Sequence, residues 1–191
     1  CLIAGDLSGI QKFIYTISSD GALKSLRARS FYLELVTEEI VQQLLEELKL
    51  PRTNIIYAGG GNLYLLAAAT QDTKLVLNKV QREFNKWLLG RFQGKVFLAL
   101  DHTTFPVEDV TKKVKDITKK VEDPTKTEFS KHWSTVTQKL TPQKSRKFAE
   151  ELDYFTRRRH SYDKCQVCHR DDVKKLANLN TDRADSVQAC S

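Results

Sequence analysis

The chain has 191 residues, a net charge of +7, 40% hydrophobic residues and 29% charged residues. This length allows one good core or two small ones, and the composition is that of a soluble globular protein. No run approaches the roughly 18 apolar residues that a membrane span needs, and the start lacks a signal-peptide pattern. We therefore expect a cytoplasmic protein with no membrane partner.

The two ends of the sequence predict that it is a piece of a larger protein. It begins at Cys1 without an initiator methionine, contains no methionine at all, and ends at Ser191, one residue after Cys190, which has the position of a residue inside a motif. Lysines and arginines are concentrated between Lys112 and Lys175. Such a charge distribution favours RNA, DNA or nucleotides as partners, and a solvated basic face is the alternative.

An apolar strand is predicted at residues 2–7, leading directly into a helix. Ser8 to Gln11 have the form of a capping box, in which the serine oxygen and the glutamine side chain satisfy free helix amides. With Lys12 next to it, this junction is predicted to bind anions. Asp6 at the strand end is interpreted as a helix cap or a solvated group, with contact to a divalent metal such as Mg²⁺ as the alternative.

A long helix is predicted at residues 25–48, because apolar residues recur there at spacings of three and four before Pro51. Arg27 and Arg29 lie in its first turns, where cations oppose the helix macrodipole. Their placement favours contact with RNA or another phosphate, and ordinary surface arginines are the alternative.

Residues 54–67 predict two apolar strands joined by a glycine turn. Gly59, Gly60 and Gly61 tolerate positive φ and can reverse the chain without steric cost. Continuous apolar strands suit the centre of a sheet covered by helices, although periodicity alone does not exclude a short buried helix. The three glycines either make a simple hairpin or also let a flat ligand approach the backbone.

A second helix is predicted at residues 72–91, ending near Gly90 and Gly94, and a fourth strand at residues 96–100. The apolar stripe of this helix comprises Val76, Val80, Phe84 and Trp87. The order strand, helix, strand, strand, helix, strand predicts a ferredoxin-like βαββαβ fold of the α+β class, with an antiparallel sheet backed by two helices. RNA-recognition modules, cyclases and polymerase palms share this fold, so it leaves function open.

Beyond residue 106 the pattern changes to basic amphipathic helices that we expect to pack beside the sheet. One is predicted at residues 110–121 and a second at 129–140. Thr141 and Pro142 are predicted to cap a third, which carries Phe148, Leu152 and Phe155. The lysines of these helices are either solvated or face nucleic acid. A denser basic cluster is predicted to contact phosphate and comprises Arg157, Arg158 and Arg159.

Cys165 and Cys168 form a CxxC knuckle, and Cys190 follows at a spacing typical of zinc ribbons. A structural Zn²⁺ needs four ligands, and the fourth is predicted to be a cysteine beyond Ser191. A redox CxxC is the competing interpretation, but that motif is normally placed at a helix start after a strand. Two histidines are alternative fourth ligands, His160 and His169.

Two long motifs, GDLSGIQKFIY at residues 5–15 and LRARSFYL at 26–33, precede the glycine turn and the knuckle. Together they resemble the large signature subunit of type III-A CRISPR effector complexes, the Csm-type protein, over essentially the whole chain. The resemblance implies that residues 1–106 are a first, GGDEF-like palm domain. It also implies that residues 107–160 are helices packed beside the palm and that residues 161–191 begin a zinc-binding domain.

In this family an HD nuclease domain precedes the first palm, and a second palm and a helical domain follow the zinc domain. The resemblance implies a role in antiviral defence, in which the protein binds a guide RNA together with other CRISPR effector subunits. When target RNA pairs, members convert ATP into cyclic oligoadenylates and the HD domain cuts single-stranded DNA. The full protein is therefore expected to be a nucleotidyltransferase and single-strand DNase, and this chain alone to be inactive.

Adenylyl transfer by a palm needs acidic residues that hold two divalent ions, here Mg or Mn. In the family these residues lie in a Gly-Gly-Asp-Asp hairpin on the second palm, whereas this chain has Gly-Gly-Gly-Asn and leaves Asp6 unaccompanied. We therefore expect a noncatalytic half-site, with no catalytic residue, that faces the second palm with ATP between them. Its predicted nucleotide-binding residues are Ser8, Gly9, Gln11, Lys12, Gly59, Gly60 and Gly61.

Two other functions remain open. A self-sufficient GGDEF-type cyclase requires a carboxylate where Gly61 or Asn62 stands, and this sequence has none there. An RNA-binding ferredoxin-like module would expose aromatic residues on an open sheet face, for which Tyr57 and Tyr64 are the candidates.

Overall fold

The computed structural model describes residues 1–15, 22–110, 128–157, 160–182 and 186–190. The strands of its main sheet are β1 (Leu2–Ser8), β2 (Ile55–Gly59), β3 (Asn62–Leu66) and β4 (Phe97–Thr103). They form one antiparallel sheet in the order β2-β3-β1-β4. Because β3 lies between the parallel strands β1 and β2, this is the split βαβ order, and it confirms the ferredoxin-like α+β prediction.

The helices of the described residues are α1 (Ile10–Ile14), α2 (Ala22–Leu48), α3 (Gln71–Phe92), α4 (Glu128–Ser145) and α5 (Leu152–Thr156). Single 3₁₀ turns lie at Arg52–Asn54 and Val107–Val110, and a second, two-stranded sheet pairs β5 (Ala177–Asn178) with β6 (Gln188–Ala189). Within these described helices, none is both long and apolar enough to cross a membrane.

One face of the main sheet packs against α2 and α3. Successive residues of a strand point to opposite faces, so Ile3 and Leu7 of β1 share this face. Both belong to a single apolar cluster with the buried faces of the two helices. The helical residues fully buried in this cluster are Ile40, Val41, Leu44, Val80 and Leu88. The long amphipathic helix predicted before Pro51 is therefore confirmed.

The buried stripe of α3 differs from the predicted one. Val80 is fully buried as expected, but Trp87 is 45% exposed and its neighbour Leu88 is buried instead. Adjacent helical residues point about 100° apart, so a stripe displaced by one position turns the indole ring outward.

The C-terminal end of α3 lies within one residue of the predicted end. Gly90 lies inside the helix, which continues to Phe92 and ends at Gln93 in a left-handed conformation with φ 52°. The Phe92 ring packs edge-on against Phe13 of α1, with 4.9 Å between centroids. This burial explains why the helix continues past its interior glycine.

Helix α4 lies across the second face of the sheet. The buried residues of this second cluster include Leu2, Ala4, Ala99, Val136 and Leu140. Trp133 stacks on Tyr64 of β3, with 4.2 Å between ring centroids. The sheet is therefore covered on both faces over part of its length. Tyr64, one of the two aromatic residues considered for RNA stacking, is engaged inside the fold.

Pro142 lies within α4, so the prediction that Thr141 and Pro142 cap a separate helix is wrong. Proline removes one helix hydrogen bond, but Gln143 fixes the following turn to β4. Its Nε2 donates to the Leu100 carbonyl oxygen at 3.1 Å, and its Oε1 accepts from the Leu100 amide at 3.1 Å. The helix predicted at residues 110–121 lies largely outside the described residues.

Strand β4 is an edge strand whose outward backbone groups are bound by side-chain amides. Asn85 of α3 donates from Nδ2 to the Leu98 carbonyl oxygen at 2.9 Å and accepts from the Leu98 amide at 2.8 Å. Gln143 does the same at Leu100, two residues further on. Edge groups satisfied in this way are not available to pair with another strand. The strand also extends to Thr103, beyond its predicted end at residue 100.

Replacing Asn85 with alanine should lower the free energy of unfolding by about 2 kcal/mol, because the buried Leu98 amide loses its acceptor. Gln81 also donates to the Leu98 carbonyl, at 3.2 Å, which limits the loss. The matched control is Asn78→Ala, an exposed asparagine of the same helix, which should change stability by less than about 0.5 kcal/mol. Urea unfolding measures both, and equal effects would contradict the role of Asn85.

Candidate functional site

The end of the sheet beside the β2–β3 hairpin carries a row of polar and small residues. Asp6 of β1 stands opposite Asn62 of β3, which in turn stands opposite Gly59 of β2. Residues directly opposite each other across strands point to the same face. This face is the one that α4 covers further along, so the row lies on the second face of the sheet, where its three residues are half-buried.

The Asp6 carboxylate is bound by a lysine that sequence reasoning did not single out. Lys144, in the last turn of α4, places Nζ 3.0 Å from Asp6 Oδ1. The two side chains are 34% and 23% exposed, respectively. Asp6 therefore neither caps a helix nor is simply solvated. No local signal marks Lys144 in a chain rich in lysine, because its position depends on α4 continuing past Pro142.

The glycine turn has the geometry that the sequence predicts. Gly59 pairs with Asn62, and the two loop residues Gly60 and Gly61 have φ +59° and +82°. Positive φ at both central residues is the type I′ pattern that matches strand twist. The hairpin prediction is therefore confirmed.

The three glycines differ in their surroundings. A Cβ at Gly60 would meet nothing within 4 Å, whereas one at Gly61 would lie 2.0 Å from Ile10 Cδ1. The Gly60 amide donates to Glu34 Oε2 of α2 at 3.1 Å. A larger residue at Gly61 would adopt a strained positive φ and would push the flexible end of the Ile10 side chain aside, whereas Gly60 is the glycine with open space on its surface.

The junction of β1 and α1 lacks the predicted capping box. Ser8 is the last residue of β1 and pairs with Phe97, and the cap residue is Gly9, with φ 97° and no side-chain hydrogen bond. A Cβ at Gly9 would lie 1.9 Å from the Lys95 carbonyl oxygen. The chain turns here through a left-handed glycine held against β4, which explains why a serine cap is not used.

The structure brings the two predicted nucleotide-binding segments together. The Leu7 amide donates to the Gly61 carbonyl oxygen at 2.7 Å, so the end of β1 and the turn are directly joined. Gln11 and Lys12 of the short helix α1 are exposed beside this junction. Nucleotide contact by these residues stays a prediction.

Arg29 has an environment that its sequence position did not suggest. It is 4% exposed, and it donates to the carbonyl oxygens of Phe13, at 2.8 Å, and of Val167. Burial lowers the pKa of this guanidinium, and the nearby thiols of Cys168 and Cys165 oppose that shift. Arg29 therefore joins α2 to α1 and to the cysteine loop, the segment that carries Cys165, Cys168 and Cys190.

Phosphate contact by the other arginines stays a prediction. Arg27 and Arg157 are exposed, whereas Arg158 and Arg159 lie outside the described residues.

The three clustered cysteines converge as the sequence predicts. The sulfur atoms of Cys165, Cys168 and Cys190 all lie within 4.8 Å of one another, and Cys165 Sγ accepts from the amides of Cys168 and Cys190 at 3.4 and 3.3 Å. Tetrahedral Zn²⁺ with bonds of about 2.3 Å places its sulfurs about 3.8 Å apart, so the three thiols fit such an ion. Among the described residues, the group comprises these cysteines and neither His160 nor His169.

The surroundings of Cys165 and Cys168 shift the pKa values of their two thiols in opposite directions. Burial raises the pKa of the Cys165 thiol, but hydrogen bonds from the amides of Cys168, Cys190 and Val167 outweigh it and lower the pKa to about 7. Burial raises the pKa of the Cys168 thiol to about 12. A Zn²⁺ ion would bind all three as thiolates and displace the remaining protons. A fourth ligand beyond Ser191 stays a prediction.

Two clefts among the described residues lie away from the hairpin. One of about 610 Å³ lies between α3 and the segment from Pro142 to Glu151, and one of about 500 Å³ lies between α2 and α3. The residues that line these two clefts include none from the glycine turn or from α1.

Comparison with known proteins places this chain in a family. The family described as Csm1 subunit domain B matches residues 1–160. Relatives from Enterococcus italicus and Mycobacterium tuberculosis are each 36% identical to the chain, covering 90% and 86% of it and 22% and 21% of their own lengths. Both are named CRISPR system single-strand-specific deoxyribonuclease Cas10/Csm1 (subtype III-A).

Solved structures agree with this assignment. A Csm1-Csm4 cassette in complex with pppApA has a TM-score of 0.68 and 31% identity, covering 81% of this chain and 20% of that one. A cassette in complex with one ATP has a TM-score of 0.67 and 31% identity, covering 81% and 20%. A cassette in complex with cA4 has a TM-score of 0.67 and 26% identity, covering 98% and 24%.

The chain is thus a palm-like α+β protein of type III-A CRISPR systems. It belongs to the Csm1 family, through the domain that the family describes as domain B. It spans about a fifth of the length of the curated relatives that it matches.

Proposed function

We propose that this chain is the noncatalytic, nucleotide-binding palm of a type III-A effector large subunit. It pairs with a second palm that carries the catalytic carboxylates, and ATP bound between the two is converted into cyclic oligoadenylates. The observation that carries the proposal is the polar end of the sheet. There a glycine turn without a carboxylate stands beside a single aspartate, Asp6, which Lys144 already binds.

A catalytic palm needs several carboxylates close enough to hold two divalent ions. Among the described residues, the cysteine cluster is the group of three or more metal-ligating side chains, and Asp6 does not belong to it. This arrangement supports binding without chemistry at this half-site. Similar Csm1-Csm4 cassettes have been solved in complex with ATP, pppApA and cA4, and the proposal adopts this class of ligand.

The remaining functions of the full subunit are proposed from the family. Cys165, Cys168, Cys190 and a fourth ligand hold a structural Zn²⁺, and ATP with Mg or Mn reacts at the second palm. The subunit assembles with other effector subunits, guide RNA and target RNA, and its HD domain cuts single-stranded DNA. The segments are residues 1–106 as first palm, 107–160 as helices packed on it and 161–191 as the start of the zinc domain.

The proposal is tested by filling the open side of the turn. Gly60→Trp in the full-length subunit should lower oligoadenylate output by about tenfold or more, because the ring takes the space that the nucleotide needs. Gly60→Asn should retain most of the output, since asparagine tolerates positive φ and is small. Oligoadenylates are measured by chromatography after activation with target RNA.

The matched control for this experiment is Gly90→Trp. Gly90 is also exposed, with nothing within 4 Å of an added Cβ, but it lies on α3 away from the turn. It should leave the output unchanged. Full output from Gly60→Trp would show that the turn has only a structural role, and binding of single-stranded RNA without ATP would favour the RNA-binding module.

A further inference from the structure

We propose that Lys144 is a phosphate-binding residue that takes the place of a divalent metal ion in this palm and offsets the charge of the Asp6 carboxylate beside it. The inference rests on the nucleotide-binding function proposed above and adds the group that receives the phosphates. Nucleotide binding at this half-site is then independent of metal.

The position of Lys144 suits this role. Asp6, Asn62 and Gly59 form one row across β1, β3 and β2. Two strand spacings separate the ends of this row, a distance of about 10 Å. Lys144 is at the Asp6 end and the open glycine turn is at the other. A nucleotide lying along the row would place its base or ribose at the turn and its phosphates at the lysine.

The negative charge of the Asp6 carboxylate also requires a cation beside it if a triphosphate is to bind there. An isolated Asp6 carboxylate would repel a triphosphate, and a palm normally removes that repulsion with metal ions. Here the Lys144 ammonium is 3.0 Å from the carboxylate. An ammonium has three N–H donors, so contact with one carboxylate oxygen leaves donors for a phosphate. Its side chain is 34% exposed, which keeps the group within reach of a ligand.

A purely structural ion pair is the alternative. Lysine in the last turn of α4 is favoured by the helix macrodipole, and a partly exposed pair contributes at most about 1 kcal/mol to stability. A structural pair would change the melting temperature when broken and leave ATP affinity unaltered. The two roles therefore differ in a measurable quantity.

The test is a double-mutant cycle in the full-length subunit, with ATP titrated calorimetrically in the presence of EDTA. Lys144→Gln should weaken ATP binding by about 10- to 100-fold, the effect of losing a charge-assisted hydrogen bond. Asp6→Asn should leave the affinity within about threefold of the wild type or increase it, because the positive charge remains. The double variant should bind more tightly than Lys144→Gln alone, because the repelling carboxylate has gone.

The control is Lys139→Gln, on the same helix. Lys139 donates to the His102 carbonyl oxygen at 2.8 Å, near the far end of β4, and its loss should not change ATP affinity. If Asp6→Asn abolishes binding while Lys144→Gln does not, Asp6 is a metal ligand and the inference is wrong. A lower melting temperature of Lys144→Gln with unchanged affinity would overturn it as well.

The same titration distinguishes failure of the Lys144 phosphate site from failure of the proposed nucleotide-binding function. Wild-type binding that requires Mg²⁺ overturns the metal-free phosphate site and leaves the nucleotide-binding palm intact. Absence of ATP binding with and without Mg²⁺ overturns both.

Discussion

Replacing Cys165 with serine should reduce the zinc content of the full-length subunit from about one ion to nearly none at this site. Cys165 is fully buried, and its sulfur accepts hydrogen bonds from the amides of Cys168 and Cys190. A serine hydroxyl is a poor substitute for a thiolate as a zinc ligand, so three of the four ligands cannot hold the ion tightly. Metal analysis after dialysis measures the effect.

The loss of zinc should also loosen the cysteine loop. The described residues at 160–182 and 186–190 have little regular structure beyond the two-residue strands β5 and β6. They contact the palm through single hydrogen bonds, including Lys95 Nζ to the His169 carbonyl at 3.2 Å and Gln93 Nε2 to Asp171 Oδ1 at 3.0 Å. Without the ion, hydrogen exchange of the backbone amides at residues 160–182 should become faster, while that of β1 should stay slow.

Cys1→Ser is the matched control for Cys165→Ser. Cys1 is also buried, but its sulfur donates to the Ala68 carbonyl oxygen at 3.4 Å, next to the sheet, and it does not belong to the metal-binding group. It should leave the zinc content unchanged. Zinc retained by Cys165→Ser would contradict the assignment of the cluster.

The elements that the sequence predicts correctly are those with a repeated local signal. The apolar spacing of α2, the glycine turn and the apolar strands β1 to β4 each depend on neighbouring residues, and all are present. The cysteine cluster is predictable for the same reason, because ligand spacing along the chain is itself the signal.

The remaining features depend on contacts between distant parts of the chain. Pro142 is a helix breaker in isolation, but Gln143 bonds to β4 and the helix continues. Arg29 has the sequence position of a surface cation, yet the carbonyl oxygen of Val167, 138 residues away, helps to draw it into the interior. Ser8 and Gln11 match a capping box, but Ser8 is used by the β1–β4 ladder instead. Local propensity was overridden in each case by a tertiary hydrogen bond.

The candidate site also combines residues with a local sequence signal and residues that only long-range packing brings there. Its glycines and Asp6 are visible in the sequence, whereas Lys144 and the Glu34 contact to Gly60 are not. Both of these charged residues come from helices whose orientation on the sheet is set by packing. Charge balance at the site could therefore be evaluated only from the structure.

Gly9→Ala should produce the largest loss of stability among substitutions at the candidate site, lowering the free energy of unfolding by about 3 kcal/mol or more. Alanine at φ 97° is strained, and its Cβ would lie 1.9 Å from the Lys95 carbonyl oxygen. Backbone cannot move aside as the end of a flexible side chain can. Either β1 separates from the start of β4 or the first turn of α1 opens.

The control for Gly9→Ala is Gly60→Ala, which separates backbone strain from steric overlap. Gly60 also has positive φ, at +59°, but an added Cβ meets nothing within 4 Å. Strain alone should cost about 1 kcal/mol. Urea unfolding of both variants gives the comparison. A loss at Gly9 no greater than that at Gly60 would show that the close approach of the Lys95 carbonyl oxygen is not what requires glycine at this junction. The contact of Ile10 with the turn would then be the main contact that holds α1 in place.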